Sequence, residues 1–246
     1  QQRLPVTVVT VNALFDGQRA DVLSGSSVQL GDGRLQAEGA YRLADHHLAV
    51  QAVLSAINPA LADTRLDSAP LSGTVQATSA QDAIDFDVNI RATHALVAQK
   101  AKKPAAKGSI SLPIDRIEAK GRWQAPVLQL STLQIDALKA HISGQKMAAN
   151  TEQMSGEGQL NAQLPGATLD VQANAAPTKG DGNINLKLAS AEQLLQWLRT
   201  LPFAGNALPP GLAAQGSANA SLRFSGGYAD ALRQLHQAGL LAKLPG

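Results

Sequence analysis

The chain has 246 residues, a formal net charge of +2, no cysteine, 44% hydrophobic residues and only 3% aromatic ones. So small a charge argues against a nucleic-acid surface of clustered Lys and Arg, and the missing thiol removes cysteine catalysis, Cys-bound zinc and disulfides. No apolar run reaches the roughly 18 residues a membrane-spanning helix needs, and Ala, Leu, Val and Ile supply nearly all the apolar surface that a compact core would draw partly from large rings.

In chain order, strand signals follow one another across short turn clusters. VTVVTV at 6–11 opens the series, and GRLQAEGAYRL (33–43) and HLAVQAVLSAI (47–57) are joined by ADHH, which has the look of a hairpin turn. LSGTVQATSA (71–80) precedes AIDFDVNIRA (83–92), where Ile84, Phe86, Val88 and Ile90 form one face against Asp85, Asp87, Asn89 and Arg91. Successive side chains on a strand point to opposite sides, so this alternation predicts one dry and one wet face. The cluster KAKKPAAK at 100–107 reads as a solvated loop.

GSISLPI (108–114) and IEAKGRW (117–123) continue the series. In VLQLSTLQIDALKAHISG (127–144) the alternation runs through Leu128 and Leu130, then Leu133, Ile135 and Ala137, then Leu138, Ala140 and Ile142, changing phase at each slip. GEGQLNAQL (156–164), ATLDVQANA (167–175) and GNINLKLA (182–189) follow. Their faces carry Leu160, Ala162 and Leu164, then Leu169, Val171 and Ala173, then Ile184, Leu186 and Leu188, with turns at LPG (164–166) and APTKGDG (176–182).

Two stretches change to helical spacing. ASAEQLLQWLRTL (189–201) sets Leu194, Trp197, Leu198 and Leu201 on one stripe, with Ser190 as N-cap, Glu192 in the first turn and Pro202 as terminator. YADALRQLHQAGLLAKL (228–244) repeats the spacing, while PFAGNALPPGLAA (202–214) is a loop and GSANASLRFSGG (216–227) alternates through Ala218, Ala220, Leu222 and Phe224. The expected fold is mainly β: a long antiparallel meander with one or two short amphipathic helices near the C-terminal end. It divides into strands over 1–188, a helix and Pro/Gly-rich loop over 189–215, and a strand and helix over 216–246, within one repetitive domain. The opening QQRLPVTV, without Met or signal peptide, marks a fragment or processed piece whose membrane anchor would lie outside it.

Catalytic and metal-binding constellations are missing from the pattern. There is no GxSxG and no GxxxxGK; GDGR (31–34), GEGQ (156–159) and GDGN (180–183) carry Gln36, Asn161 and Asn185 where a dinucleotide loop needs a third glycine, and read as turn glycines opening strands. His46 and His47 would face opposite ways on a strand, and His94, His141 and His236 have no carboxylate at ligand spacing, so no metal or cofactor is expected. Asp85 and Asp87 share a strand face as an acid/base pair would, yet they oppose the apolar face and read as a solvated surface. The stripe of Leu194, Trp197, Leu198 and Leu201 reads as packing on its own protein in preference to a partner or bilayer surface.

GRLQAEGAYRLADHHLAVQAVLSAINPALA, DSAPLSGTVQATS, GRWQAPVLQLSTLQIDALKAHISG and SGEGQLNAQLPGATLDVQANA carry a recurring Gly-x-Leu-x-Ala strand opening, an Asn-Pro-Ala and Ser-Gly pairs. Over most of residues 28–227 these segments resemble the AsmA-like, TamB-type envelope proteins of Gram-negative bacteria. The resemblance implies an open β-taco trough with a hydrophobic interior, in a periplasmic protein anchored in the inner membrane and working with an Omp85-type, TamA-like outer-membrane barrel. It implies transport of phospholipid acyl chains, or of apolar client polypeptide, in support of outer-membrane protein and autotransporter assembly, without catalysis. The expected groove lining is Ile84, Phe86, Val88, Ile90, Leu128, Leu130, Leu160, Leu164, Leu169, Val171, Ile184, Leu186 and Leu188. The same strand pattern fits a filled β-solenoid interaction module; a carbohydrate-active β-solenoid ranks last for want of clustered carboxylates and aromatic platforms.

Overall fold

The computed structural model describes residues 6–59, 69–93, 114–201, 208–209, 211–229 and 233. The segment 100–107, most of 108–114, His94, His236 and most of the expected helix at 228–244 lie outside the described residues. The strands are β1 (Val6–Thr10), β2 (Ala13–Phe15), β3 (Arg19–Val22), β4 (Ser27–Leu30), β5 (Gly33–Arg42), β6 (His47–Ile57), β7 (Leu71–Ala80) and β8 (Ala83–Ala92). They continue with β9 (Ile114–Gln124), β10 (Val127–Ala137), β11 (Ala140–Asn150), β12 (Ser155–Leu164), β13 (Ala167–Ala175) and β14 (Gly180–Leu188), then helix α1 (Ala191–Thr200) and β15 (Ala218–Ser225). The protein is mainly β, a large open antiparallel sheet that does not close into a barrel.

The chain forms two compact units, residues 1–125 with 133–141 and residues 126–132 with 142–246, so that β10 and β11 each contribute to both. In the first unit the ladder runs β1-β4-β5-β6-β7-β8-β9. From β4 onward each strand pairs antiparallel with the next in sequence, as short turns dictate. The hairpin of β2 and β3 was not foreseen; β3 pairs with the far half of β5, beside β4. Its signal is the Asp16-Gly17 pair: the Asp16 carboxylate accepts from the backbone N–H groups of Gln18 and Arg19 at 2.9 and 2.7 Å, and Gly17 takes a φ of 90°. The flanking strands are short, and β2 is fully exposed, so no hydrophobic alternation announces them.

In the second unit β12, β13, β14 and β15 form an antiparallel ladder. Pro165 and Gly166 make the tight turn between β12 and β13, but β14 and β15, although direct partners, are joined through residues 189–217, which include α1. The Ser190 side chain caps that helix by accepting from the Gln193 N–H, Glu192 stands in the first turn and Arg199 in the last, all suited to the helix dipole. The most buried helical residue is Leu195, which is not on the expected stripe; Leu194, Trp197 and Leu198 are half-buried and Leu201, just past the helix, is buried.

Two sequence assignments change. In the 127–144 stretch the second slip is a turn, Leu138 and Lys139 with φ of 55° and 63°, whereas β10 continues through the slip between Leu130 and Leu133. Of the three GxG pairs only Gly31 lies in a turn; Gly156, Gly158, Gly180 and Gly182 sit inside β12 and β14 as ladder positions. Neighbouring side chains lie against two of them: a Cβ on Gly158 would stand 2.8 Å from Met147 Cγ.

Candidate functional site

Directly opposed residues of an antiparallel pair share a face, so the register can be read across the strands as rows. In the first unit one row runs Leu35, Leu54, Gly73, Ile90, Ile117 and the next Ala37, Ala52, Val75, Val88, Ala119. A third runs Gly39, Val50, Ala77, Phe86, Gly121, and a fourth joins Tyr41 to Leu48 and Ile84 to Trp123. All of Ile84, Phe86, Val88 and Ile90 lie on this apolar face. Bulky side chains are flanked by small ones, Phe86 by Ala77 and Gly121.

The second unit repeats the arrangement with different residues. Its rows are Gly158, Ala173, Gly182, Phe224; Leu160, Val171, Ile184, Leu222; Ala162, Leu169, Leu186, Ala220; and Leu164, Ala167, Leu188, Ala218. Leu160, Leu164, Leu169, Val171, Ile184, Leu186 and Leu188 are thus brought onto one face, while Leu128 and Leu130 lie half-buried on β10 in the same unit. The expected lining residues therefore form two sets, one in each unit. Alternation marks the apolar side of each strand but not its cross-strand partners, and the register adds Leu35, Leu54, Val75, Ile117 and Leu222 to the same faces.

These faces are left uncovered to an unusual degree. None of the thirteen expected lining residues is buried; each is half-buried. Among the described residues no large side chain is fully buried, and the buried apolar residues are Ala83, Ala140, Ala162, Ala167, Leu195 and Leu201.

The opposite faces are polar in two different ways. In the first unit charges pair across strands, Arg122 with Asp85 at 3.6 Å, Lys120 with Asp87 at 3.7 Å and Arg91 with Glu118 at 2.7 Å, and Arg116 reaches the same Glu118 along β9, also at 2.7 Å. Asp85 and Asp87 are exposed, as their alternation implied, and each is in addition ion-paired to β9. The Arg91 side chain, followed by Arg116, holds the Glu118 carboxyl below the usual glutamate range, against the opposing cost of burial. His141 does find a carboxylate, contrary to the sequence reading: the hairpin turn at 138–139 sets its Nδ1 against Asp136 Oδ1, and Arg116 Nε lies 4.0 Å from Asp136 Oδ2. Among the described residues no group of three or more His, Asp or Glu is placed to hold a metal ion.

In the second unit the polar face is dominated by carboxamides, with rows such as Gln159, Gln172, Asn183, Arg223 and Asn161, Asp170, Asn185, Ser221. An open concavity of about 870 Å³ bounded by Lys146, Glu157, Gln172, Asp181 and Arg223 lies over this face, and a second of about 340 Å³ shares Gln159, Gln172 and Asn183 with it. A smaller one of about 140 Å³ in the first unit is bounded by Gln36, Glu38 and Gln51, again on the polar side. No helix of the described residues is long and apolar enough to cross a membrane. Comparison of the chain with protein-family models, with curated proteins and with solved structures gives no match.

Proposed function

We propose that this chain is a periplasmic segment of a TamB-type, AsmA-like envelope protein whose apolar sheet faces hold phospholipid acyl chains in transit between the inner and outer membranes. Extended apolar client polypeptide is the second cargo of the same chemistry, and an Omp85-type barrel is the partner of the whole protein. The observation that carries the reading is the pair of apolar faces, continuous across successive strands yet only half-buried. A soluble protein seldom leaves so large a contiguous apolar surface without a use for it. Each acyl methylene removed from water there contributes about 0.8 kcal/mol, so contact along part of one chain outweighs thermal energy several-fold.

The test is native mass spectrometry of the purified protein, with organic extraction of what it carries. Phospholipid in a defined ratio, lowered by Phe86→Asp and by Leu186→Asp, supports the reading. A lipid-free mass that also resists a photo-crosslinking acyl probe rejects it.

The concavities over the polar faces favour a second reading, an interaction module that meets a polar partner and carries no lipid. In that case the Leu186→Asp variant keeps every ligand the parent has.

A further inference from the structure

We infer that α1 is a resident cover on the apolar face of the second unit, confining an acyl chain to the rows it leaves open; the inference rests on the lipid-carrying reading above. Three observations place the helix there. First, its start is tied to the β12–β13 turn: the Gly166 carbonyl accepts from the N–H groups of Ala189 and Ser190 at 2.8 and 3.0 Å. A Cβ at Gly166, whose φ is 83°, would stand 2.9 Å from both Gln193 Cβ and Leu194 N, so the first helical turn abuts that end of the sheet.

Second, burial shows which side is covered. Ala162 and Ala167, on the apolar rows nearest this end, are 4% exposed, whereas Ala173, one of the alanines farther along the same face, is only half-buried. On the polar side of those rows Gln163, Lys187 and Asn219 stay exposed. Burial of Leu195 in the helix, at 9% exposed, and of Leu201 just past it, at 6%, agrees.

Third, the excursion is not needed to pair the strands. Leu188 and Ala218 are direct partners, a spacing that two residues bridge between β12 and β13, and a long connection costs more closure entropy than a tight turn. What α1 adds is cover at the β12 and β13 end of these rows, over Ala162 and Ala167, while Ala218 and Ala220 on β15 stay exposed. The rows left for cargo are Leu160, Val171, Ile184, Leu222 and the small-residue row ending in Phe224, and Leu222 is 58% exposed.

Trp197 makes the arrangement measurable. With Trp123→Phe removing the other indole, the full chain is incubated with vesicles of phosphatidylglycerol whose acyl chains carry bromine, and the emission of Trp197 is followed alongside the lipid retained by mass. Retained lipid with loss of Trp197 emission is the expected result. Retained lipid with unchanged emission overturns the cover and leaves the lipid reading intact; no retained lipid overturns both. A second variant replaces residues 189–217 by Asn-Gly and is expected to retain more lipid per chain; unchanged retention by this variant, folded as judged by its circular dichroism, also overturns the cover.

Discussion

Phe224 on β15 lies over its direct cross-strand partner Gly182 on β14: a Cβ added to the glycine would stand 2.5 Å from Cε1 and 2.6 Å from Cζ of the ring. The edge strand thus lays its aromatic ring inward on ground left bare by the glycine. Gly182→Val must push the ring away, at a cost of about 1–3 kcal/mol for overpacking. Phe224→Ala should relieve part of that cost, so the double variant is destabilised by roughly 1 kcal/mol less than the sum of the single ones. Urea unfolding of the four proteins decides; strict additivity would mean that the ring does not occupy that space.

Arg91 and Arg116 are also direct cross-strand partners, and two guanidinium groups so placed repel one another. Glu118 offsets this by binding both. Because its carboxyl titrates lower in the folded chain than in the unfolded one, its contribution is present in full above the ordinary glutamate pKa and fades as pH falls through the depressed folded value. The urea midpoint should therefore drop as the pH is lowered into the acid range, and Glu118→Gln should be less stable at neutral pH with a flatter acid limb. An unchanged acid limb in that variant would place the titration elsewhere.

Lys139 holds a φ of 63° with its side chain exposed, in a turn whose other central residue, Leu138, also has positive φ. Only the backbone is under strain there, so Lys139→Gly should stabilise the protein by about 0.5–1 kcal/mol, and the β-branched Lys139→Val should destabilise it by about 1 kcal/mol. Thermal midpoints of the two variants must move in opposite directions.

The strand ladder was legible because apolar and polar residues alternate from end to end in stretches such as 83–92 and 167–175, a signal that needs no long-range contact to be read. What could not be read is the register. Leu160, Val171, Ile184 and Leu222 come from four strands, and nothing local in any one of them says that they form a single row. The interior glycines misled for a related reason: Gly182 looks like a turn residue until Phe224, far along the chain, is seen to lie on it. His141 and Asp136 meet only because Leu138 and Lys139 fold into a tight turn that lacks the usual glycine. The stripe reading of α1 missed Leu195, its most buried residue, because helical spacing alone does not say which side of the helix meets the protein.

Asp85 and Asp87 test whether the charged face takes part in holding lipid. Their partners Arg122 and Lys120 lie 3.6 and 3.7 Å away, and about half of each aspartate side chain is exposed. Such pairs contribute about 0–1 kcal/mol. The double variant Asp85→Asn, Asp87→Asn should unfold within about 1 kcal/mol of the parent and retain the same amount of phospholipid. A loss of retained lipid would bring the charged face into the binding site.

Ile184 and Asn185 are neighbours on β14 that point to opposite faces, Ile184 in the row with Val171 and Leu222, Asn185 opposite Asp170 and Ser221. The two positions put the same charge a few ångströms apart on the two sides of one sheet. Ile184→Asp sets a carboxylate among apolar side chains that an acyl chain would cover, and a buried, unpaired charge costs several times what the lost methyl groups contribute. Asn185→Asp changes charge without touching that row. Lipid retention should fall by at least tenfold in the first variant and remain within about twofold in the second, a difference of roughly 1 kcal/mol or more in binding free energy. Equal losses would point to net charge as the determinant. Loss in Asn185→Asp alone would move the cargo to the carboxamide face and its concavities.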